Sequence, residues 1–226
     1  MSTDQRAEIE WRDGAIPVST RFEDPYFSLD DGLAETRHVF LAGNGLPARL
    51  APGFHIAELG FGTGLNMLTA LHAAQTANAG PLRYTGFEAF PMARADIARS
   101  LSAFPEIAAL AQPLLDAWTG ETLRLQTPDL IADILIGDAR QTLPLWWGQA
   151  DAWFLDGFSP ARNPEMWQPT LMTQVARHTA PGGSFATYTA AGFVRRALAE
   201  AGFTVTRRPG FGRKRHMSTG QLGAPA

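Results

Sequence analysis

Apolar residues fall along this chain in short blocks of two kinds. Residues 55–59, 82–88, 133–138 and 152–156 form brief apolar runs bounded by glycine, proline or acids, as expected of strands covered on both faces. Residues 66–74 carry apolar side chains at helical spacing with few breakers. Helices are also predicted over 91–117 (broken near Pro105 and Pro113), 169–178 and 193–201. Upstream, residues 1–25 are polar and contain Pro17 and Pro25, which predicts extended structure or a short hairpin. A turn follows at 26–32, then a helix over 32–41 with Leu33, Thr36, Val39 and Phe40 as its stripe. Gly43, Gly45 and Pro47 end that helix. Of two strands around Thr127 and Pro128, only the second is expected in a parallel core. Pro181-Gly182-Gly183 predicts a turn before a strand at 184–188, and residues 203–206 and 216–218 predict a closing antiparallel pair. The alternation implies an α/β fold: a doubly wound, mostly parallel sheet over residues 51–226, with residues 1–50 as an N-terminal extension packed on it, one structural domain overall.

Composition narrows the class without naming a chemistry. The 226 residues are 45% hydrophobic and 18% charged, enough for a full core, and no apolar run reaches the roughly 18 residues of a membrane span. There is no signal-peptide character and no cysteine, so a cytoplasmic protein without disulfides or cysteine-held metals is expected. Net charge is only −3, yet it is polarised. Residues 1–35 hold nine acids and three arginines, whereas from Arg195 onward seven basic residues face one acid. That asymmetry points to a polyanionic partner at one end, with Arg195, Arg196, Arg213, Lys214 and Arg215 as its contacts.

The most informative stretch is Glu58-Leu59-Gly60-Phe61-Gly62-Thr63-Gly64-Leu65-Asn66, where a strand passes through three glycines into a helix. Glycines permit a tight turn and the approach of a ligand to amides at a helix N-terminus. A dinucleotide fingerprint would need glycine where Leu65 stands, which disfavours a nicotinamide-dependent oxidoreductase. The spacing Glu-x-Gly-x-Gly-x-Gly is the one associated with S-adenosylmethionine (SAM) enzymes, and Glu58 suits a ligand bearing an ammonium group. Gly60, Phe61, Gly62, Gly64 and Asn66 complete the expected cofactor loop. The competing reading is a plain tight turn.

Four successive strands end on an acid: Glu58, Glu88, Asp138 and Asp156. In open parallel sheets, ligands bind at the carboxyl ends of the strands, so these acids are expected to converge on one crevice. Glu88 is placed to accept both ribose hydroxyls and Asp138 to reach the adenine amino group. Asp156 opens the turn Asp156-Gly157-Phe158-Ser159-Pro160, under which Phe158 and Trp167 are expected to pack. Other chemistries find no support. The five histidines lack metal-ligand spacing, so no metal is expected, and neither a G-x-S-x-G elbow nor a phosphate-binding G-x-x-x-x-G-K-[ST] loop is present.

Taken together, several segments carry a resemblance that runs almost end to end. They are residues 17–19, 22–28, 32–37 and 39–41, then 58–66, 87–88, 137–138 and 153–167, and finally 191–196 and 210–215. The chain resembles the methyltransferase domain of the bacterial enzymes that complete 5-methylaminomethyl-(2-thio)uridine at the tRNA wobble position. Asp156-Gly157-Phe158 with Asn163-Pro164, and Gly210-Phe211-Gly212-Arg213-Lys214-Arg215, are its most discriminating parts. The resemblance implies a Rossmann-like class I SAM-dependent methyltransferase acting on the 5-aminomethyl group of uridine 34, in the anticodon stem-loop of tRNA. Asp156 would then orient the amine and accept its proton, and Phe27 would help close the pocket. In many members the domain is fused to a flavin-dependent oxidase, so such a domain or partner enzyme is implied. Another amine acceptor, or a non-catalytic tRNA-binding module, are the alternatives.

Overall fold

Three short strands, Ile9–Arg12 (β1), Ile16–Ser19 (β2) and Asp24–Pro25 (β3), pair antiparallel in a small sheet of their own. This computed structural model describes residues 5–14, 16–28 and 30–223. The main sheet contains His55–Leu59 (β4), Leu82–Glu88 (β5), Leu123–Gln126 (β6), Leu130–Ile136 (β7), Ala150–Leu155 (β8), Thr179–Thr187 (β9), Phe203–Pro209 (β10) and His216–Leu222 (β11). Its order is β10-β11-β9-β8-β4-β5-β7-β6. The strands β7-β5-β4-β8-β9 are parallel, β6 and β11 run against them, and β10 pairs antiparallel with β11. From β4 the chain builds outward through β5 and β7, then returns to add β8 on the other side. The order therefore reverses between β4 and β8.

Helices cover both faces: Gly32–Thr36 (α1), Leu65–Thr76 (α2), Arg94–Leu101 (α3), Pro105–Ala108 (α4), Gln112–Ala117 (α5), Ala139–Thr142 (α6), Pro169–Arg177 (α7) and Gly192–Glu200 (α8). Pro105 and Pro113 do not merely break a helix. Each sits in the first turn of the next one, where a missing N–H costs nothing. Ile56, Tyr84 and Phe154 pack under Phe40, Leu68 and Leu114 on one face. Ala57, Leu59, Trp153 and Phe185 pack under Leu171, Val175 and Leu198 on the other. Val39 and Phe40 lie in the first of these clusters, so part of the N-terminal extension shares the core of the sheet. No helix of the described residues is long and apolar enough to cross a membrane.

Two expectations change. The predicted helix 32–41 is α1 followed by a π-helical turn, Arg37–Leu41, and Asp31 caps its start by accepting from the Ala34 amide at 2.9 Å. Pro181-Gly182-Gly183 is not a turn between elements but lies within β9. There β9 advances from Thr179 to Ser184 while β8 moves only from Ala150 to Ala152, so the extra residues bulge out of the ladder. Gly182, at φ 75°, takes the conformation that such a bulge requires.

Candidate active site

A cleft of about 360 Å³ opens where the strand order reverses, at the carboxyl ends of β4, β5 and β8. Its floor is the loop from Gly60 to Asn66 and its sides include Glu88 and the Asp156–Ser159 turn. The loop reaches this position through Gly60, at φ 86°. A Cβ there would stand 1.9 Å from the Asp156 carbonyl oxygen. The touching ends of β4 and β8 therefore demand glycine here. Gly62 and Gly64 also take positive φ, and Gly64 packs beneath Leu114 and Phe61, outside the cleft lining.

Asn66, in the first turn of α2, ties the acids of β4 and β8 together. Its Nδ2 donates to Glu58 Oε1 and to Asp156 Oδ2, both at 2.6 Å, and its Oδ1 accepts from Thr36 Oγ1 at 2.7 Å. The Tyr84 hydroxyl donates to the other Glu58 oxygen at 2.6 Å. Glu58 is thus wholly buried with both oxygens engaged, and it lies beneath the cleft rather than in its lining. Burial pushes its pKa well above the usual carboxylate range, and the Asp156 charge adds to the rise. Asp156 does line the cleft. Burial pushes its pKa up to about 7; Glu35 and Asp24 push the same way, whereas the Asn66 hydrogen bond and Lys214 oppose them.

Glu88, the last residue of β5, lines the cleft with its carboxylate fixed by two backbone amides. Gly62 N donates to Oε2 at 2.7 Å and Phe90 N to Oε1 at 2.8 Å. Each oxygen keeps a lone pair to accept one more hydrogen bond, the geometry a vicinal diol needs. Burial raises its pKa and the two amides oppose that. Phe61, Phe87 and Ala139 supply apolar surface alongside. Asp138 caps α6 and makes an ion pair with Arg140 at 2.5 Å, next to Ala139 of the cleft lining. A carboxylate, a diol-sized pair of acceptors and flat apolar walls fit the adenosyl and cationic parts of SAM.

The N-terminal segment forms the remaining wall. Phe22 stacks on Phe158 with centroids 4.7 Å apart, and Tyr26 meets the same ring edge-on at 5.1 Å. Phe158 therefore packs toward this wall, while Trp167 is buried below and donates its Nε1–H to the Phe158 carbonyl at 2.9 Å. Phe27 lines the cleft as expected for a closing residue, edge-on to Phe104. Asp24 also lines it and accepts from the Ser159 amide at 2.7 Å. Sequence reasoning assigned no role to Asp24, Tyr26, Glu35, Tyr84 or Tyr188. Asp24, Tyr26 and Glu35 stand in segments already singled out, yet local spacing gives none of them a role.

The five basic residues differ in their surroundings. Arg213 and Lys214 line the cleft mouth on the turn between β10 and β11. Arg213 is almost wholly exposed, 3.9 Å from Asp30. Lys214 instead donates to Glu35 at 2.8 Å. Arg215 and Arg196 are exposed and lie outside the cleft, whereas Arg195 is half-buried with its Nε unpartnered among the described residues. Arg207 and Arg208, exposed on β10, extend the basic face along the sheet edge.

Comparison with known proteins agrees with this geometry. Curated relatives include the tRNA 5-methylaminomethyl-2-thiouridine biosynthesis bifunctional proteins MnmC of Caulobacter vibrioides and Chromohalobacter salexigens. The first is 48% identical over 92% of this chain and 36% of that protein, the second 46% identical over 96% and 33%. The chain thus spans about a third of their length. Among solved structures, MnmC2 from Aquifex aeolicus superposes with a TM-score of 0.79 at 24% identity, covering 99% of this chain and 73% of that one. Spermidine synthase from Thermotoga maritima shares the fold at a TM-score of 0.57 and 11% identity, over 96% and 72%. A family model described as S-adenosyl-L-methionine-dependent methyltransferase matches residues 105–223. The chain belongs to that family, the SAM-dependent methyltransferases.

Proposed function

We propose that this methyltransferase acts on the primary amine of 5-aminomethyl-(2-thio)uridine at the wobble position of tRNA. The observation that carries the reading is the character of the cleft around Asp156. Its lining brings together the carboxylates of Asp24, Glu35 and Asp156 with the rings of Tyr26, Phe158 and Tyr188. Such a wall suits a cationic acceptor on a flat base, and it agrees with what the named relatives make.

SAM, when bound, supplies an electrophilic methyl group. Glu88 would hold its ribose, and Gly60, Phe61 and Gly62 shape the floor beneath it. Asn66, on the floor, and Glu58, one layer down, would act by fixing Asp156. A primary alkyl amine has a reference pKa of about 10.4, and its protonated form has no lone pair. Asp156 would orient the amine and accept the proton it loses, a transfer favoured by a carboxylate whose own pKa stands near 7. Most of the acceleration would come from holding nitrogen and methyl in line. The exposed arginines of the β10–β11 edge would meet the phosphates of the anticodon stem-loop. The aminomethyl group itself would come from a flavin-dependent oxidase, either a fused domain or a separate enzyme.

The decisive experiment supplies tRNA bearing 5-aminomethyluridine and labelled SAM, then identifies the nucleoside formed. Methyl transfer to the aminomethyl nitrogen is expected, with none to tRNA lacking that group. Equal labelling of both tRNAs, or of neither, would refute the reading.

A further inference from the structure

Lys214 is the only lysine in the chain; the other 18 basic residues are arginines. Its turn is closed by hydrogen bonds from Gly210 N to the Arg215 carbonyl at 3.1 Å and from Lys214 N to the Phe211 carbonyl at 3.0 Å. From there the side chain reaches into the cleft. Nζ donates to Glu35 Oε1 at 2.8 Å and stands 4.0 Å from the centre of the Tyr188 ring. That ring is fixed in turn, because the Tyr188 hydroxyl donates to the Gly157 carbonyl, next to Asp156, at 2.7 Å.

The pairing is unequal. The Glu35 side chain is only 11% exposed, whereas that of Lys214 is 45% exposed. Three other cleft carboxylates are held by fixed donors, Glu88 by two amides, Asp24 by the Ser159 amide and Asp156 by Asn66, while Asp30 is exposed at the mouth, 3.9 Å from Arg213. Among the described residues, the Glu35 carboxylate accepts only from Lys214. A nearly buried acid is thus served by a side chain reaching in from outside. One carboxylate plus one aromatic face is a standard receptor for an alkylammonium ion. An arginine fork would not mimic that ligand, but a lysine tip is a primary alkylammonium itself.

We propose that Glu35 and the Tyr188 ring form the binding subsite for the acceptor's primary ammonium, beside Asp156, and that Lys214 occupies this subsite until the acceptor displaces it. The inference rests on the reading of the acceptor as a primary amine. It assigns Glu35 and Tyr188 to recognition and removes Lys214 from the phosphate-binding set.

The test titrates n-propylammonium chloride into wild type, Lys214→Met and Lys214→Met/Glu35→Gln by calorimetry, each saturated with S-adenosylhomocysteine. Lys214→Met should bind the probe at least about tenfold more tightly than wild type, and the double variant should lose that gain, the scale of one charge-assisted hydrogen bond. Should the double variant not fold, Lys214→Met/Tyr188→Leu replaces it. Equally weak binding in wild type and Lys214→Met would overturn the proposal and make Lys214 a fixed counter-ion. In the tRNA assay, Glu35→Gln should raise KM about tenfold while leaving SAM affinity within about twofold. Propylammonium binding without methylation of aminomethyl-tRNA would keep the subsite and refute the tRNA reading. Methylation at wild-type KM by Glu35→Gln would refute the subsite and keep the reading.

Discussion

A carboxylate that must take a proton from an amine works best with its own pKa near the working pH. Asp156 reaches about 7 because it is enclosed beside Glu35 and Asp24. Methyl transfer should therefore rise with pH through about 7 as the carboxylate ionises. Asp156→Asn should lose that inflection and slow by about 10²-fold, with SAM binding nearly unchanged. Stability follows the opposite sign. The folded pKa stands above the ordinary 3.8, so the stability linked to this proton is full below that value and is lost as pH rises toward 7. Asp156→Asn should not share that loss, which thermal melts at pH 5 and pH 8 would read; an inflection retained in single-turnover rates of the variant would place the base elsewhere. Asp156 and Glu88 were legible in the sequence because each ends a strand, and strand ends have a known destination. Glu35 and Tyr188 were not, since nothing in local spacing brings together residues so far apart in the chain.

At the scale of elements, the close contact of the ends of β4 and β8 leaves no room for a side chain. An alanine at Gly60 would need both a positive φ and room where the Asp156 carbonyl already stands. Gly60→Ala should cost about 3 kcal/mol or more, combining backbone strain with overpacking. Urea unfolding would register this as a lower midpoint; a midpoint matching wild type would show that the two strand ends separate freely. At Gly62, also at positive φ, the nearest atom to a Cβ would be on the Tyr26 ring, at 3.1 Å, and not on the backbone. The sequence marked both glycines alike, because a motif records where glycine stands and not what would collide with its replacement. The same limit explains β9. Pro-Gly-Gly has the composition of a turn, yet the neighbouring strands hold it as a bulge. Strands β4, β5 and β8 were read correctly because burial on both faces leaves an unbroken apolar signature.

For the molecule as a whole, charge is sorted between two functions. Asp24, Asp30 and Glu35 of the N-terminal third line the cleft, while Arg196, Arg207, Arg208 and Arg215 are exposed on the late elements. Arg196 and Arg215 lie outside the cleft lining, so Arg196→Ala/Arg215→Ala separates the two functions. tRNA affinity should fall, and the log–log salt slope should shrink by roughly one unit for each phosphate contact removed. SAM titration should stay within about twofold of wild type, since neither change reaches the cofactor loop. Filter binding across a salt series reads the first effect, and an unaltered slope would move the nucleic-acid surface away from α8 and this turn. The wall from Phe22 to Ser28 has a different kind of consequence. It forms part of the cleft wall, yet no strand of the eight-stranded sheet passes through it. Substitutions there leave the eight-stranded ladder intact, but Tyr26 lies against Gly62 and Phe22 meets Phe90 edge-on, and these are the two residues whose amides hold Glu88. A change in that outer wall is therefore passed on to the Glu88 cradle beneath it, and the two must vary together.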